Sequence, residues 1–126
     1  MATYKRLVLY NILTDLYPEV PIACGTTYAS ITIYTDQPLV PEQTIIDLYP
    51  TYVQKYNLGV LRQQRTIRLM ATDMYGLADY PFKSDESKEA WFTYRQALRN
   101  ITNQYPNPEV DADDNLIGIA WPVKPT

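Results

Sequence analysis

Apolar and polar positions change their period along the chain, first near 2 and then near 3.6. In residues 28–35, YASITIYT, Ile31 and Ile33 fall on one side and Ser30, Thr32 and Tyr34 on the other. Alternation of that kind predicts a strand with one buried face. Residues 5–13, KRLVLYNIL, are rich in strand-forming types and predict another strand. Between them, YPEVPIACG carries Pro18, Pro21 and Gly25. These interrupt regular pairing, so an irregular connection is expected rather than a tight hairpin.

Helical spacing takes over after residue 40. In DQPLVPEQTIIDLYP, Pro41 suits a first helical position, Glu42 complements the helix dipole, and Ile45, Ile46 and Tyr49 form a short apolar face. Pro50 is expected to end this helix near residue 49. From Leu58 onward, Val60, Gln64, Ile67, Ala71 and Met74 follow a 4, 3, 4, 3 spacing, with Arg62, Arg65 and Arg68 on a different face. This predicts an amphipathic helix. Gly76 and YPFKSDES break the pattern, and Ser84 is placed to cap a second helix whose start carries Asp85, Glu86 and Glu89.

On that second helix Trp91, Tyr94, Leu98, Ile101 and Tyr105 recur at 3, 4, 3, 4 spacing, with Ala90 and Ala97 beside them. Two such helices joined by a short polar connection fold back as an antiparallel pair and bury both stripes. Beyond Pro106 and Pro108 come the acidic loop EVDADDN, then LIGIAW, which could add an edge strand, then the extended PVKPT. The expected fold class is α+β: N-terminal β-strands, an antiparallel pair of long helices, and an extended C-terminal tail. Residues 1–57 form the β-rich segment with its short helix, and residues 58–126 the helical hairpin with its tail; the two could make one continuous domain.

Composition narrows the chemistry. With 126 residues, 46% apolar and 20% charged, the chain suits one globular domain with room for an appendage. No apolar run approaches the roughly 18 residues that span a bilayer. The N-terminal apolar run is too short for a secretory signal, so neither a membrane role nor export is expected. One cysteine, Cys24, and no histidine leave no internal disulfide and no ordinary zinc site. A net charge of -3 argues against binding to a phosphate backbone, so nucleic acid is not an expected partner.

Catalysis is hard to build from these residues. The usual base near neutral pH is missing, and four glycines supply no phosphate-cradling loop. Asp111, Asp113 and Asn115 stand at alternate positions as in a calcium loop, but Leu116 sits where glycine is needed and no bidentate Glu follows. No enzyme activity, catalytic residue, cofactor or metal is therefore expected. The 12 Tyr, 2 Trp and 10 Pro point either to rigid interface anchors or to a half-wet core.

The stretch WFTYRQALRN, residues 91–100, separates by face. Trp91, Tyr94, Leu98 and Ile101 are expected in the core. Arg95 and Arg99 lie one turn apart beside that stripe. Asp73 or Asp79 is the first candidate to pair with them, and a solvated surface role is the alternative.

Three blocks stand in order: LRQQRTIRLMATDM (residues 61–74), WFTYRQALRN, and Trp121-Pro122 with Pro125. Over about residues 61–125 the chain resembles the C-terminal region of bacteriophage tail assembly chaperones. The first block is similar to that family's arginine-rich helix ending in Thr-Asp-Trp, the second to its Trp-x-x-Tyr-Arg-Gln-Ala-Leu-Arg helix, and the third to its closing Trp-Pro-x-x-Pro. Met74 stands where the pattern has Trp, Asn100 where it often has Asp, and DADDN replaces a shorter connection. Residues 1–57 carry no such resemblance.

The resemblance implies a non-enzymatic assembly factor that binds a tail-fibre or baseplate protein in the bacterial host cytoplasm. It marks Trp91, Tyr94, Arg95, Gln96, Leu98, Arg99, Trp121, Pro122 and Pro125 as family-motif or partner-binding residues. The alternative is a permanent virion component, in the baseplate, neck or fibre attachment, present in several copies and retained in the tail. The stiff WPVKP tail either lies in a partner's groove or folds back on its own helices with Trp121 near Trp91.

Overall fold

The computed structural model describes residues 2–126. The chain divides into two compact units, one ending at Tyr56 and the other comprising Asn57–Thr126.

The first unit opens with a helix where the residue types predicted a strand. Helix α1 is Arg6–Leu16, and Val8, Leu9, Ile12 and Leu13 are its buried residues. In a strand Val8 and Leu9 would point to opposite faces, whereas a helix gathers all four on one stripe. With one apolar core to serve, spacing outweighs the β-propensity of Val, Ile and Tyr. Tyr4, Tyr17 and Ile45 complete that core.

The alternating segment 28–35 is only partly extended. A 3-10 turn, Tyr28–Ser30, precedes β2, Thr32–Ile33, which pairs antiparallel with β1, Ile22–Ala23, placing Ile22 opposite Ile33. The Ser30 hydroxyl accepts from Gly25 N at 2.8 Å and donates to the Thr27 carbonyl, which closes the turn and shortens the strand.

Tyrosine hydroxyls fasten the proline-rich run 38–41 to this core. Tyr17 donates to the Pro38 carbonyl at 3.0 Å and accepts from Val40 N at 2.8 Å, while Tyr28 donates to the Val40 carbonyl at 2.6 Å. Tyr4 donates to Glu42 Oε2 at 2.6 Å, and Tyr49 accepts from Lys5 N at 2.8 Å. At these positions the tyrosines act as core residues with satisfied polar tips.

Helix α2, Glu42–Met70, runs through Pro50 where a stop was expected. A proline inside a helix removes one hydrogen bond and costs about 3 kcal/mol. Here both Pro50 and Ile46, whose carbonyl loses its donor, are exposed, so water can meet that group. On either side Leu48, Tyr49, Tyr52, Val53 and Tyr56 pack on the first core, and Tyr52 donates to Asp15 at 2.6 Å. That anchoring carries the helix past the defect.

In the second unit the inward face of α2 differs from the one the apolar spacing predicted. Ile67 and Met74 are 55% and 49% exposed, whereas Leu61 and Thr72 are buried and Arg65, Arg68 and Leu69 are half-buried between them. The arginine stems cover apolar surface while their heads reach polar partners. Helix α3, Asp85–Arg99, starts where expected, with Ser84 Oγ accepting from Ser87 N at 3.1 Å. The continuous stripe to Tyr105 is interrupted at Asn100, which separates α3 from the short α4, Ile101–Gln104.

Strands β3, Glu109–Val110, and β4, Leu116–Ile117, then form an antiparallel hairpin. Asp111 Oδ1 accepts from Asp113 N and Asn115 N, both at 2.9 Å, so this acid holds the turn. The bond from Asn115 is the first cause that keeps the Asp111 carboxyl below its ordinary value.

The Tyr4–Glu42 contact generates a pH-dependent expectation. That hydrogen bond is the main reason the Tyr4 hydroxyl is pushed up to about 12. The folded state then holds its proton more tightly than the unfolded chain, so the contribution is complete below the ordinary value near 10 and is lost as pH rises toward 12. Urea unfolding of Tyr4→Phe should show a shallower loss of stability than the parent across this alkaline window. Parallel curves would contradict the assignment.

Candidate functional site

The second unit is organised by how α3 returns along α2. Asn57 Nδ2 donates to the Pro108 carbonyl at 3.2 Å, Arg65 Nη1 to the Arg99 carbonyl at 3.4 Å, and Arg95 Nη1 to the Leu69 carbonyl at 2.9 Å. Numbers rise on one side as they fall on the other, so the segments run antiparallel. The expected back-to-back pair is nevertheless only partly matched. Along α3 the contacts to α2 reach Arg95, and Trp91 is covered by other groups.

Arg95 is 8% exposed, and its guanidinium needs partners at that depth. Nη1 donates to the Leu69 carbonyl and to Thr72 Oγ1, both at 2.9 Å, and Nη2 donates to Asp73 Oδ1 at 3.2 Å. Leu69 lies in the last turn of α2, where its carbonyl accepts from Thr72 N at 3.0 Å in place of the regular helical donor and takes Arg95 as a further one. A cation there also complements the dipole. The Thr72 hydroxyl points back to the carbonyls of Arg68 and Leu69 at 3.3 and 3.2 Å. Asp73 has a side chain 64% exposed, so the ion pair is screened and is worth under about 1 kcal/mol. The bonds to Leu69 and Thr72, shielded from water, dominate.

Aromatic groups cover the rest of the α3 stripe. Tyr75, in the 3-10 turn Asp73–Gly76, stacks on Trp91 with centroids 3.9 Å apart, and Tyr94 meets Trp91 edge-on at 5.9 Å. Phe82, Leu69 and Trp121 pack against the same cluster. The Arg68 guanidinium carbon lies 3.7 Å from the centroid of the Trp121 ring, a cation–π contact. Ala120 N donates to the Tyr105 hydroxyl at 3.0 Å. The tail therefore folds back on its own unit.

The marked residues thus separate. Trp91, Tyr94, Arg95 and Leu98 are buried and join the turn after α2 to α3. Gln96 and Arg99 are exposed, and Trp121, Pro122 and Pro125 are half-buried. Asp73 pairs with Arg95, as the sequence suggested. Thr72, Arg68, Tyr75 and Phe82 went unmarked in the sequence; Thr72 and Arg68 lie inside the first motif block, which was the one signal available for them.

Two features remain open to partners. Ile67, Met70, Met74 and Leu77 follow one another through the end of α2 and the turn, exposed by 55, 66, 49 and 57%. Separately, an open groove of about 940 Å³ runs between α3 and the tail, walled by Ala90, Tyr94 and Ala97 on one side and Pro122 and Pro125 on the other. Among the described residues no group of three or more His, Cys, Asp or Glu is placed to hold a metal ion. No helix among them is long and apolar enough to cross a membrane.

A family model described as phage tail assembly chaperone protein matches residues 58–126, more than half of the chain. The whole Arg95 cluster lies inside that segment. No curated protein and no solved structure matches the chain.

Three substitutions test the ranking of forces. Leu98→Ala, at a fully buried position, should cost about 2 to 5 kcal/mol in urea unfolding. Arg95→Lys keeps the charge but loses the fork that reaches both Leu69 and Thr72, and should cost on the order of 1 to 3 kcal/mol, while Asp73→Asn should cost under about 1. A larger loss from Asp73→Asn than from Arg95→Lys would reverse the ranking.

Proposed function

The chain belongs to the phage tail assembly chaperone family, so its role lies in tail assembly, and we propose that it performs this role by binding an unassembled tail-fibre or baseplate protein, without catalysis. The site of action is then the host cytoplasm, where tails are put together.

The observation that carries this reading is the exposed apolar series Ile67, Met70, Met74 and Leu77 beside the Arg95 network. Apolar surface returns roughly 25 cal/mol per Å² when it leaves water, so a partner with its own apolar surface gains by covering these side chains. Methionine has an unbranched, polarizable side chain and adapts to irregular surfaces, which suits a partner met before it has reached its final assembly. The backbone bearing this series is held by Arg95 bonds to Leu69, Thr72 and Asp73, so the side chains are presented from a fixed frame.

Co-expression with each tail-fibre and baseplate protein of the same genome tests the reading. One of them should gain soluble, correctly assembled yield. Met70→Glu with Leu77→Glu should remove that gain while shifting the chain's own stability by less than about 0.5 kcal/mol, because both positions are exposed. Unchanged yield of every candidate would contradict the proposal. Mass spectrometry of purified particles then tells a departing chaperone, absent from the tail, from a retained component.

A further inference from the structure

The groove between α3 and the tail is distinct from the exposed series on α2, and both of its banks are largely apolar, with acids at one end of the α3 bank. Its α3 wall offers Ala90, Thr93 and Ala97, small side chains that let another backbone come close, above the ring of Tyr94. Its tail wall carries Pro122 and Pro125, which lack N–H groups and interrupt any strand ladder. An occupant is therefore held by buried side chains rather than by added β-pairing. About 940 Å³ of space lies at the upper end of the range typical of preformed binding sites, and its open side lets a longer chain pass through.

The charge at one end is uneven. Asp85, Glu86 and Glu89 line the groove at the N-terminal end of α3, and among the described residues none of the three is in an ion pair. Asp85 and Glu86 sit in the first turn, where the helix dipole alone favours an acid. Glu89 lies beyond that turn, out of the dipole's useful range, so it is not explained in the same way. Lys124 on the tail wall stands 6.0 Å from the Trp91 ring and pairs with none of the three acids.

We infer that this groove takes a segment of the tail protein that combines aliphatic side chains with at least one lysine or arginine, the aliphatic groups on the Ala90–Tyr94–Ala97 wall and the cation at Glu86 and Glu89. The inference rests on the proposed binding of an unassembled tail protein. An acidic segment is repelled at the carboxylate end, and a purely apolar one gains no attraction from those carboxylates.

Overlapping peptides tiling the tail-fibre and baseplate proteins of the same genome, measured by fluorescence polarisation against the full chain, provide the test. The tightest peptides should carry both aliphatic and basic residues. Their affinity should fall roughly tenfold with Glu86→Gln plus Glu89→Gln, as for two exposed ion pairs, and should weaken with added salt. Ala90→Trp, which fills the groove from an exposed position, should abolish binding while leaving the melting temperature in place. Tight peptides without a basic residue, affinity indifferent to both variants, or no binding peptide at all would each overturn the groove assignment. Co-expression separates this failure from failure of the broader reading. Partner rescue that persists in both groove variants removes the groove alone, whereas absence of rescue by the parent chain removes the chaperone reading.

Discussion

A guanidinium buried to the depth of Arg95 stays folded in only if its donors are met, and the groups that meet them come from one short stretch of chain. The Leu69 carbonyl ends α2, Thr72 folds back on the same turn, and Asp73 opens the next. Arg95 thus terminates one helix from the middle of another. This fixes where α2 stops, how the chain turns, and which side of α3 faces inward. Once those are set, Tyr75 falls on Trp91 and Phe82 packs beside it. Arg65 makes the reciprocal contact, reaching from α2 to the carbonyl of Arg99 at the end of α3. Each helix lends a cation to a carbonyl at the C-terminal end of the other.

The three motif blocks gain a physical meaning from this junction. Arg68, Leu69, Thr72 and Asp73 come from the first, Trp91, Tyr94, Arg95 and Leu98 from the second, and Trp121 from the third, and they form one cluster. Blocks separated in the sequence thus meet in one place, where their side chains complete one another. The side chains facing water are mostly different ones, Ile67, Met70, Met74 and Leu77 with Ala90 and Ala97 of the groove, while Tyr94 belongs to the cluster and also borders the groove. On the proposed reading, frame and contact surface fall on neighbouring positions of the same helices, so a partner is engaged without unpacking the frame.

Parts of this were legible from the letters alone. The Ser84 cap, the acids that follow it and the 3, 4 spacing from Trp91 define α3, because a helix end and an apolar stripe are local properties. The pairing of Arg95 with Asp73 was also within reach, since charge beside a stripe seeks charge across it. The misjudged elements share a cause: side-chain type was given more weight than position. Val8, Tyr10 and Ile12 favour strands by type, yet the spacing of Val8, Leu9, Ile12 and Leu13 is helical and all four are buried. Pro50 breaks helices in general, but Tyr49 and Tyr52 on either side of it are bound to Lys5 and Asp15. On α2 the spacing placed Ile67 on the apolar face and the arginines off it, whereas Ile67 is exposed and the Arg65 and Arg68 heads serve a carbonyl and an indole face. No local rule foresees that choice, because the acceptors arrive from α3 and the tail.

The Arg95 guanidinium, bonded between the end of α2 and the turn after it, organises the second unit. Side-chain nitrogen NMR of the full chain observes that group directly. Slowly exchanging, individually resolved Arg95 Nη protons, with through-space contacts to Leu69 and Thr72, are the predicted result. A single averaged signal exchanging with water as fast as an exposed arginine would contradict it.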